Sequence, residues 1–287
     1  MHKIHRFSVV MVLAVFVCQA LMPSMAEARR KARAHTAVPA KPTGPFKVTA
    51  KAALFVDDRM RVLYDKDASR RVFPASTTKI MTALIVLERL PLDQLVTISP
   101  KAASILPSKI DAKAGERYTV RDLLYCALLN SANDAAIALA EAAAGSEKQF
   151  VTLMNDRARW IGAKHTLFAN AHGLPSDDPQ FTTAYDMALI FREAMKKPFF
   201  REAIQFRYRT VFSEAGRKIV LKSHNKSLFQ GWKQDVYGKT GYTREAQACF
   251  VGYAEKDSHQ YIIAVFGCPH RWEDVKYIIE HYGGINL

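Results

Sequence analysis

The stretch "PASTTKIMTALIVLERL", Pro74–Leu90, predicts a helix that is apolar around almost its whole circumference. Helices of this kind lie inside a hydrophobic core. Lys79 nevertheless occupies the first turn, one turn after Ser76, and a lysine is rarely buried without a partner. The stretch therefore locates the centre of the fold, and it also points to chemistry at the start of the helix.

Ser76 and Lys79 are three residues apart, a spacing that places both side chains on one helical face. A serine hydroxyl becomes a good nucleophile only when a base removes its proton. Lysine can be that base if it is neutral, and burial together with nearby positive charge lowers its pKa from about 10.4. The apolar helix supplies burial, and the helix N-terminus supplies a positive dipole end. The pair is a candidate nucleophile and base.

Two further motifs strengthen this interpretation, because a Ser-x-x-Lys alone occurs about once by chance in a chain of this size. "SAN", Ser131–Asn133, falls between two predicted helices, where its side chains can point into a cleft. "KTG", Lys239–Gly241, ends a predicted strand. There a lysine and a hydroxyl can face a substrate carboxylate, while glycine lets backbone approach closely. The three motifs in this order predict one active site.

The rest of the chain alternates between strand-like and helix-like segments. "AALFVDD" and "RVLYDK" predict a hairpin, and the chain from Pro91 to Arg117 follows no regular pattern. Helices are expected over about Val120 to Asn130, Asp134 to Ala144, "SEKQFVTLMNDRARWIG", and from Thr183 to before Pro198. Later strands are expected over about Tyr208 to Phe212, Lys218 to Lys222, Val236 to Thr240, Cys249 to Ala254 and "YIIAVFGC", before a last helix from Arg271 to Tyr282. Strands at both ends around a helical middle predict one α/β sandwich, with a mostly antiparallel sheet covered by helices.

The first residues have the composition of an export signal. Lys3 and Arg6 give a basic start, "FSVVMVLAVFVCQAL" is an apolar run, and the small residues of "SMAEA" indicate cleavage after Ala26 or Ala28. A retained membrane anchor is the weaker alternative, because the run is shorter than the roughly 20 residues that span a bilayer. Residues 1–28 are therefore expected to be removed from an exported protein that is soluble in the periplasm or cell envelope.

A basic segment, residues 29–50, follows and predicts a flexible linker, because it contains alanine and proline and lacks hydrophobic periodicity. Residues 1–50 hold eight Lys or Arg and one acid, so half of the net charge of +14 lies outside the expected domain. Such an arm fits anionic envelope polymers or lipid head groups, or it is a solvated tail without a partner. Export and the lack of a recognition motif argue against nucleic acid as a partner.

Residues 51–287 are expected to form a single domain, since the chain ends directly after the last predicted helix. With 287 residues, 49% of them hydrophobic, the chain can bury a large core. Signal removal leaves Cys126, Cys249 and Cys268, an odd number without metal-type spacing. We therefore expect free buried thiols and neither a disulfide framework nor a metal site.

The three motifs resemble Ser-x-x-Lys, Ser-x-Asn and Lys-Thr-Gly of the penicillin-binding proteins and serine β-lactamases. Longer segments are similar to the D-alanyl-D-alanine carboxypeptidase family of low-molecular-mass penicillin-binding proteins: "PASTTKIMTAL", "LLNSANDAAIALAE", "FANAHGL", "TTAYDMALIFREAM" and "YGKTGYT". The likeness covers about Lys51 to Gly284. It implies a β-lactamase/transpeptidase-like sandwich with a five-stranded sheet, no cofactor, and β-lactam antibiotics as covalent inhibitors.

The resemblance also implies roles for the first two motifs. Ser76 would attack the D-Ala-D-Ala peptide carbonyl of peptidoglycan stem peptides and form an acyl-enzyme, with Lys79 as its base. Ser131 and Asn133 would help proton transfer to the leaving D-alanine and hold the peptide amide. The expected activity is that of a serine D-Ala-D-Ala carboxypeptidase.

The third motif would bind the substrate. Lys239 and Thr240 would hold the terminal carboxylate, beside the close backbone approach that Gly241 permits. The backbone N–H groups of Ser76 and Tyr242 would form the oxyanion hole, in which each donor is often worth about 2.7 to 4 kcal/mol.

Two positions depart from the family pattern, and one further histidine has no clear catalytic counterpart. Gln247 stands where the family usually has glycine, in an Ala-Gly pair after the third motif. His224 stands where a basic residue, often arginine, is usual. If it contacts the carboxylate, recognition is expected to depend on pH, because histidine titrates near neutrality. His224 could equally be a surface hairpin residue, and His172 is expected to be structural rather than catalytic.

Three alternatives stay open at this point. A β-lactamase of class A deacylates with a glutamate, but "AKHTLFANAHGLPSDDPQF" contains none, and only Asp177 and Asp178 could substitute. Endopeptidase action on D-Ala-containing cross-links uses the same acylation. A non-catalytic wall-binding protein would keep the fold without turnover, although the intact motif residues argue against it.

Overall fold

The computed structural model of the protein describes residues 47–287. The predicted signal sequence, its cleavage site and residues 29–46 of the predicted linker lie outside the described residues. Within residues 47–287, no helix combines the length and the apolar character that crossing a bilayer requires.

The strands and helices follow the order expected from the sequence. The strands are β1 Ala52–Asp57, β2 Val62–Lys66, β3 Leu95–Thr97, β4 Arg117–Thr119, β5 Tyr208–Phe212, β6 Lys218–Lys222, β7 Tyr237–Thr243, β8 Gln247–Lys256 and β9 His259–Cys268. The helices are α1 Lys79–Arg89, α2 Pro100–Ser104, α3 Val120–Leu129, α4 Asn133–Ala144, α5 Glu147–Ile161, α6 Ala184–Met195, α7 Pro198–Ala203 and α8 Arg271–Gly283. Short 3₁₀ turns cover Ala75–Thr78 and Lys226–Phe229.

The main sheet has five antiparallel strands in the order β2-β1-β9-β8-β7. Strands from the two ends of the domain thus pair directly, and this confirms the predicted α/β sandwich. The expected strands Tyr208–Phe212 and Lys218–Lys222 do form, but they pair with each other as a separate hairpin, β5–β6. The stretch from Pro91 to Arg117 contains the short β3, α2 and β4, which its irregular pattern did not reveal.

Alternating side chains of the sheet pack into two separate hydrophobic clusters. On β1, Leu54 and Val56 face a large cluster that includes the apolar faces of α1, α3, α4 and α6, whereas Phe55 faces a smaller cluster with α8. Because successive side chains of a strand point to opposite faces, one sheet is covered by helices on both sides. Helix α1 lies within the large cluster, and its residues from Lys79 to Val86 are all buried.

Three helices begin at the capping residues that the sequence predicted. Thr119 accepts a hydrogen bond from the Asp122 amide, Ser146 from the Gln149 amide, and Thr183 from the Asp186 amide. These caps satisfy backbone donors that have no partner inside the helix. Cys126, Cys249 and Cys268 are buried free thiols.

Residues 48–50, which the sequence assigned to the linker, pack against the folded domain in the described structure. Val48 and Ala50 are buried, and the Thr49 and Ala50 amides donate to the buried Asp274 carboxylate of α8 over 2.7 and 2.8 Å. A short apolar segment next to a basic stretch carries no sequence signal for such a contact. The folded domain therefore includes residues before Lys51.

Candidate active site

The three motifs converge at one cleft between the helical part and β7. Ser76 lies in the 3₁₀ turn that leads into α1, Ser131 lies in the turn between α3 and α4, and Lys239 lies on β7. The cleft has a volume of about 750 Å³, and its lining includes Ser76, Ser131, His224, Thr240, Gly241, Tyr242 and Arg271. Residues that are far apart in the sequence thus form a single site.

Lys79 is completely buried beneath this cleft, and its amine has three hydrogen-bond acceptors. Nζ donates to Ser76 Oγ over 3.2 Å, to Asn133 Oδ1 over 2.7 Å and to the His172 carbonyl over 2.7 Å. Burial, reinforced by the charge of Lys239, lowers the pKa of Lys79 well below its ordinary value. A neutral amine within reach of a serine hydroxyl can accept its proton.

Ser131 and Asn133 are held by the backbone at the α3–α4 turn. Ser131 adopts a left-handed conformation with φ of 59°, which turns the chain between the two helices. The side chain of Asn133 accepts from Lys79 and donates from Nδ2 to the Leu106 carbonyl over 2.8 Å. The orientation of the Asn133 amide is therefore defined on both sides.

Lys239 is also fully buried, and it joins the second motif to the third. Its Nζ donates to Ser131 Oγ and to the Thr240 carbonyl, both over 2.9 Å. Burial, followed by the positive charge of Arg271, lowers the pKa of Lys239 to about 7. A carboxylate that enters the cleft would find a cation with little solvent around it.

Gly241 lets β7 pack directly against the nucleophile turn. A Cβ at this position would lie 3.1 Å from the Ser76 amide nitrogen and 3.1 Å from Ala75 Cβ. A side chain would therefore push the turn that carries Ser76 away from the strand. The neighbouring Tyr242 is 67% exposed at the cleft.

His224 lies just after β6, where its side chain lines the cleft. Although the residue is exposed to the cleft, desolvation by the surrounding protein and the charges of Lys239 and Lys79 lower its pKa to about 4. The expected pH dependence from contact between His224 and a substrate carboxylate stays a prediction, because it depends on that contact. Two buried lysines nearby, invisible in the local sequence, disfavour the imidazolium.

Arg271, the first residue of α8, is a cleft residue that sequence analysis missed. Its Nη1 donates to the Gly241 carbonyl over 3.2 Å and to the Cys249 carbonyl over 2.9 Å. These bonds fix a guanidinium beside the third motif. The residue looks like an ordinary arginine at the start of a helix, and no short motif marks it.

A buried network holds the carbonyl that Lys79 uses. The Ala171 amide donates to Glu147 Oε1 over 3.0 Å, and Glu147 also bonds to Lys101 over 2.7 Å. His172 accepts from the Leu174 amide at Nδ1 and places Nε2 3.5 Å from Glu147 Oε1. Burial and the charge of Lys79 lower the pKa of His172 to about 4, so the ring is neutral.

The expectation of a structural His172 therefore agrees with its contacts, because its backbone carbonyl, not its ring, contacts Lys79. Glu147 was missed. Its position in the first turn of α5 is also explained by the favourable interaction of an acid with a helix N-terminus. Its contact with the Ala171 amide, next to His172, joins residues that are distant in the sequence and is visible only in the folded structure.

Asp177 and Asp178, the two acids considered for deacylation, do not line the cleft with Ser76. Both line a separate cavity of about 510 Å³, together with Arg71 and Phe181. The two candidates for a deacylating carboxylate therefore line a different cavity from the one that Ser76 lines.

Gln247 has φ of 58°, in the left-handed region where glycine is the favoured residue. This geometry gives a reason for the glycine expected at that position from the family pattern.

The fold and the site together define a class of protein. A helix-covered antiparallel sheet with Ser-x-x-Lys, Ser-x-Asn and Lys-Thr-Gly at one cleft is the arrangement of penicillin-binding proteins and serine β-lactamases. The sequence profile of D-alanyl-D-alanine carboxypeptidase matches residues 36–270. The chain belongs to the D-alanyl-D-alanine carboxypeptidase family.

Individual relatives agree with this assignment. D-alanyl-D-alanine carboxypeptidase DacF of Bacillus subtilis is 35% identical over 234 residues, which cover 79% of this chain and 59% of the relative. D-alanyl-D-alanine endopeptidase of Pseudomonas aeruginosa is 30% identical over 204 residues, which cover 70% and 65%. The crystal structure of a Mycobacterium tuberculosis D-alanyl-D-alanine carboxypeptidase superposes with a TM-score of 0.78 at 29% identity, covering 86% of this chain and 97% of that one. The chain thus spans less than two thirds of the Bacillus and Pseudomonas relatives.

Proposed function

We propose that this protein is a serine D-Ala-D-Ala carboxypeptidase that removes the terminal D-alanine from peptidoglycan stem peptides. The observation that carries the proposal is the buried amine of Lys79, which lies 3.2 Å from Ser76 Oγ and has a strongly lowered pKa. Membership of the D-alanyl-D-alanine carboxypeptidase family supports the choice of substrate.

Acylation begins when Ser76 Oγ attacks the carbonyl carbon of the penultimate D-alanine while Lys79 takes the hydroxyl proton. The backbone N–H groups of Ser76 and Tyr242 stabilise the oxyanion that forms. The C–N bond then breaks, and the proton passes to the leaving amine of the terminal D-alanine. Ser131 Oγ assists that transfer, and Asn133 holds the peptide amide.

Deacylation reverses this chemistry with water as the nucleophile. Lys79 accepts a proton from water, hydroxide adds to the ester carbonyl, and Ser76 leaves with a proton. Among the described residues, those that line the cleft with Ser76 include no carboxylate, whereas class A β-lactamases use a glutamate there. A penicilloyl ester would therefore persist, and β-lactams would act as covalent inhibitors.

The terminal carboxylate binds next to Lys239 and Thr240. The ammonium of Lys239 is buried and held by Ser131, which aligns it before substrate arrives. Arg271 adds a second fixed positive charge at the same end of β7, and His224 contributes a neutral ring. The cleft therefore favours peptides that end in a free carboxylate.

The decisive experiment incubates the purified domain with a soluble pentapeptide muropeptide and measures the release of D-alanine. We expect release by the wild-type protein, none by Ser76→Ala, and covalent labelling of Ser76 by a fluorescent penicillin. A folded protein that labels but releases no D-alanine from any muropeptide would contradict the carboxypeptidase assignment.

The second candidate function is that of a D,D-endopeptidase on peptidoglycan cross-links, supported by the Pseudomonas relative of that name. Acylation of Ser76 is the same in both reactions, and only the leaving group differs. Mass spectrometry of a cross-linked muropeptide dimer separates them, because an endopeptidase converts the dimer into monomers.

The cellular setting is part of the proposal. The basic start and apolar run of residues 1–28 support export, followed by cleavage that leaves the domain in the periplasm or cell envelope. The basic segment before the domain would contact anionic envelope polymers. Fractionation of expressing cells tests export, because recovery of the uncleaved chain in the cytosol would contradict it.

A further inference from the structure

The β5–β6 hairpin has an unusually apolar outer face for a strand pair at the surface. Val211 and Leu221 point inward and are buried. Pairing of the two strands places six side chains on the opposite side, which we call the hairpin face: Tyr208, Thr210, Phe212, Lys218, Val220 and Lys222. Tyr208, Phe212 and Val220 are 54%, 51% and 64% exposed. Outward positions of a half-buried hairpin are normally polar.

The hairpin face is also cationic. Lys218 and Lys222 lie opposite Phe212 and Tyr208 in the pairing. The ring of Tyr208 meets that of Phe229 edge to face, with centroids 5.7 Å apart, and Lys222 Nζ lies 5.1 Å from the Phe229 centroid. The acid of the connecting turn, Glu214, pairs with Arg117. The face therefore combines exposed rings with ammonium groups.

This surface continues into the active-site cleft. Lys222 and Phe229 line the cleft that contains Ser76, whereas Tyr208, Phe212 and Val220 lie outside that lining. A ligand that crosses the hairpin face would thus reach the catalytic serine without leaving the protein surface. Such continuity favours an extended substrate over an unrelated partner.

We propose that the hairpin face binds the polysaccharide strand of peptidoglycan and presents its attached stem peptides to the cleft. This inference rests on the proposed function. Sugar rings have apolar faces that pack on exposed aromatic side chains, and the polar edge of a tyrosine bonds to hydroxyl groups. Free carboxylates on neighbouring stem peptides complement Lys218 and Lys222.

Other occupants fit less well. A bilayer seated on the hairpin face would also cover Lys222 and Phe229, and so close the cleft to its substrate. A second copy would bring like-charged lysines together. Residues 29–46 carry five Lys or Arg and no acid, so their positive charge would be repelled by the lysines of the hairpin face.

The test separates binding of the polymer from catalysis. In a Ser76→Ala background, we would measure sedimentation of the protein with purified insoluble peptidoglycan, with and without Tyr208→Ser/Phe212→Ser/Val220→Thr. The triple variant should weaken this binding by about tenfold or more, the effect of losing a cluster of aromatic anchors. Trp160→Ser is the matched control, because Trp160 is 75% exposed on α5, and it should change binding by less than about twofold.

With Ser76 intact, the triple variant should process a soluble pentapeptide as the wild type does, but lose activity on insoluble peptidoglycan. If the triple variant does not fold, the single change Lys218→Glu serves the same purpose and should weaken binding most at low salt. Equal sedimentation of wild type and variants would overturn the inference. So would binding to phosphatidylglycerol vesicles but not to peptidoglycan, or a wild-type dimer that the triple variant abolishes. Failure of the wild type on the soluble peptide refutes the proposed function instead, while the sedimentation assay still reports on the face.

Discussion

Replacing Lys79 with arginine tests the chemistry at the centre of the site. The substitution keeps a positive charge and a long stem, so a lysine that served only as an ion-pair partner would tolerate it. A general base would not, because arginine stays protonated in proteins and has no lone pair to offer Ser76. We expect Lys79→Arg to lose acylation while the domain stays folded.

The magnitude follows from the surroundings of the amine. Nζ lies among three acceptors at 3.2, 2.7 and 2.7 Å and is not exposed to solvent, so the base is held in place by the protein. Loss of one positioned base costs about 10² to 10⁴ in rate. The larger guanidinium also overfills the pocket, which costs about 1 to 3 kcal/mol of stability.

The assay is the second-order rate of acylation by a fluorescent penicillin, with circular dichroism and thermal unfolding as checks on the fold. Lys79→Met is a companion variant that removes the amine without adding charge or much volume. Lys101→Arg is the matched control, because Lys101 is an exposed lysine whose role is an ion pair with Glu147. The control should acylate within about threefold of the wild type.

The reasoning fails if folded Lys79→Arg acylates within about threefold of the wild type, far less than the loss of a base predicts. It also fails if Lys79→Met retains that rate, because methionine offers no basic group. Should Lys79→Arg unfold, Lys79→Met decides the question alone.

Three further predictions concern other parts of the site. Lys239 has a pKa of about 7, so it loses its positive charge as pH rises above that value, and kcat/KM for a peptide ending in a free carboxylate should fall over the same range. An amidated peptide should show no such fall. Equal pH profiles for the two peptides would contradict the role of Lys239 in binding the carboxylate. Glu147→Ala should slow penicillin acylation about tenfold by releasing the loop that holds the His172 carbonyl. Glu147→Gln keeps an oxygen for the Ala171 amide and should retain most of the rate, whereas a purely electrostatic role would make both variants equally slow. Gln247→Gly should raise the free energy of unfolding by about 0.5 to 1 kcal/mol in denaturant titrations, because it relieves a left-handed backbone, and Gln247→Ala should give no such gain.

Much of the secondary structure was predictable because its signals are local. The helix starts at Thr119, Ser146 and Thr183 depend on a side chain and an amide three residues later, both visible in the sequence. A long, almost wholly apolar run indicated α1, and β-branched and aromatic runs indicated the strands. The three motifs also identified the residues that meet at the cleft.

The partners of the strands were harder to predict from the sequence. The segments Tyr208–Phe212 and Lys218–Lys222 look like any other strands, yet they form their own hairpin beside the five-stranded sheet. The residue pattern of a strand indicates its conformation and burial but not which strand it pairs with, because the backbone that forms the hydrogen bonds is the same in every strand. The short elements between Pro91 and Thr119 were not predicted, because three to five residues are too few to show a hydrophobic period.

Local sequence was enough to identify the candidate site residues: a serine and a lysine on one turn, and two further motifs whose chemistry complements theirs. The properties of those residues depend on contacts that form only in the folded domain. Lys79 finds an acceptor at Asn133, 54 residues away, and another at the carbonyl of His172, 93 residues away. Arg271 reaches Gly241 from the start of the last helix, and desolvation together with two buried lysines lowers the pKa of His224. Proton affinity depends on burial, which the apolar run indicated, and on charges that the fold brings close through space, which the neighbours along the chain do not reveal.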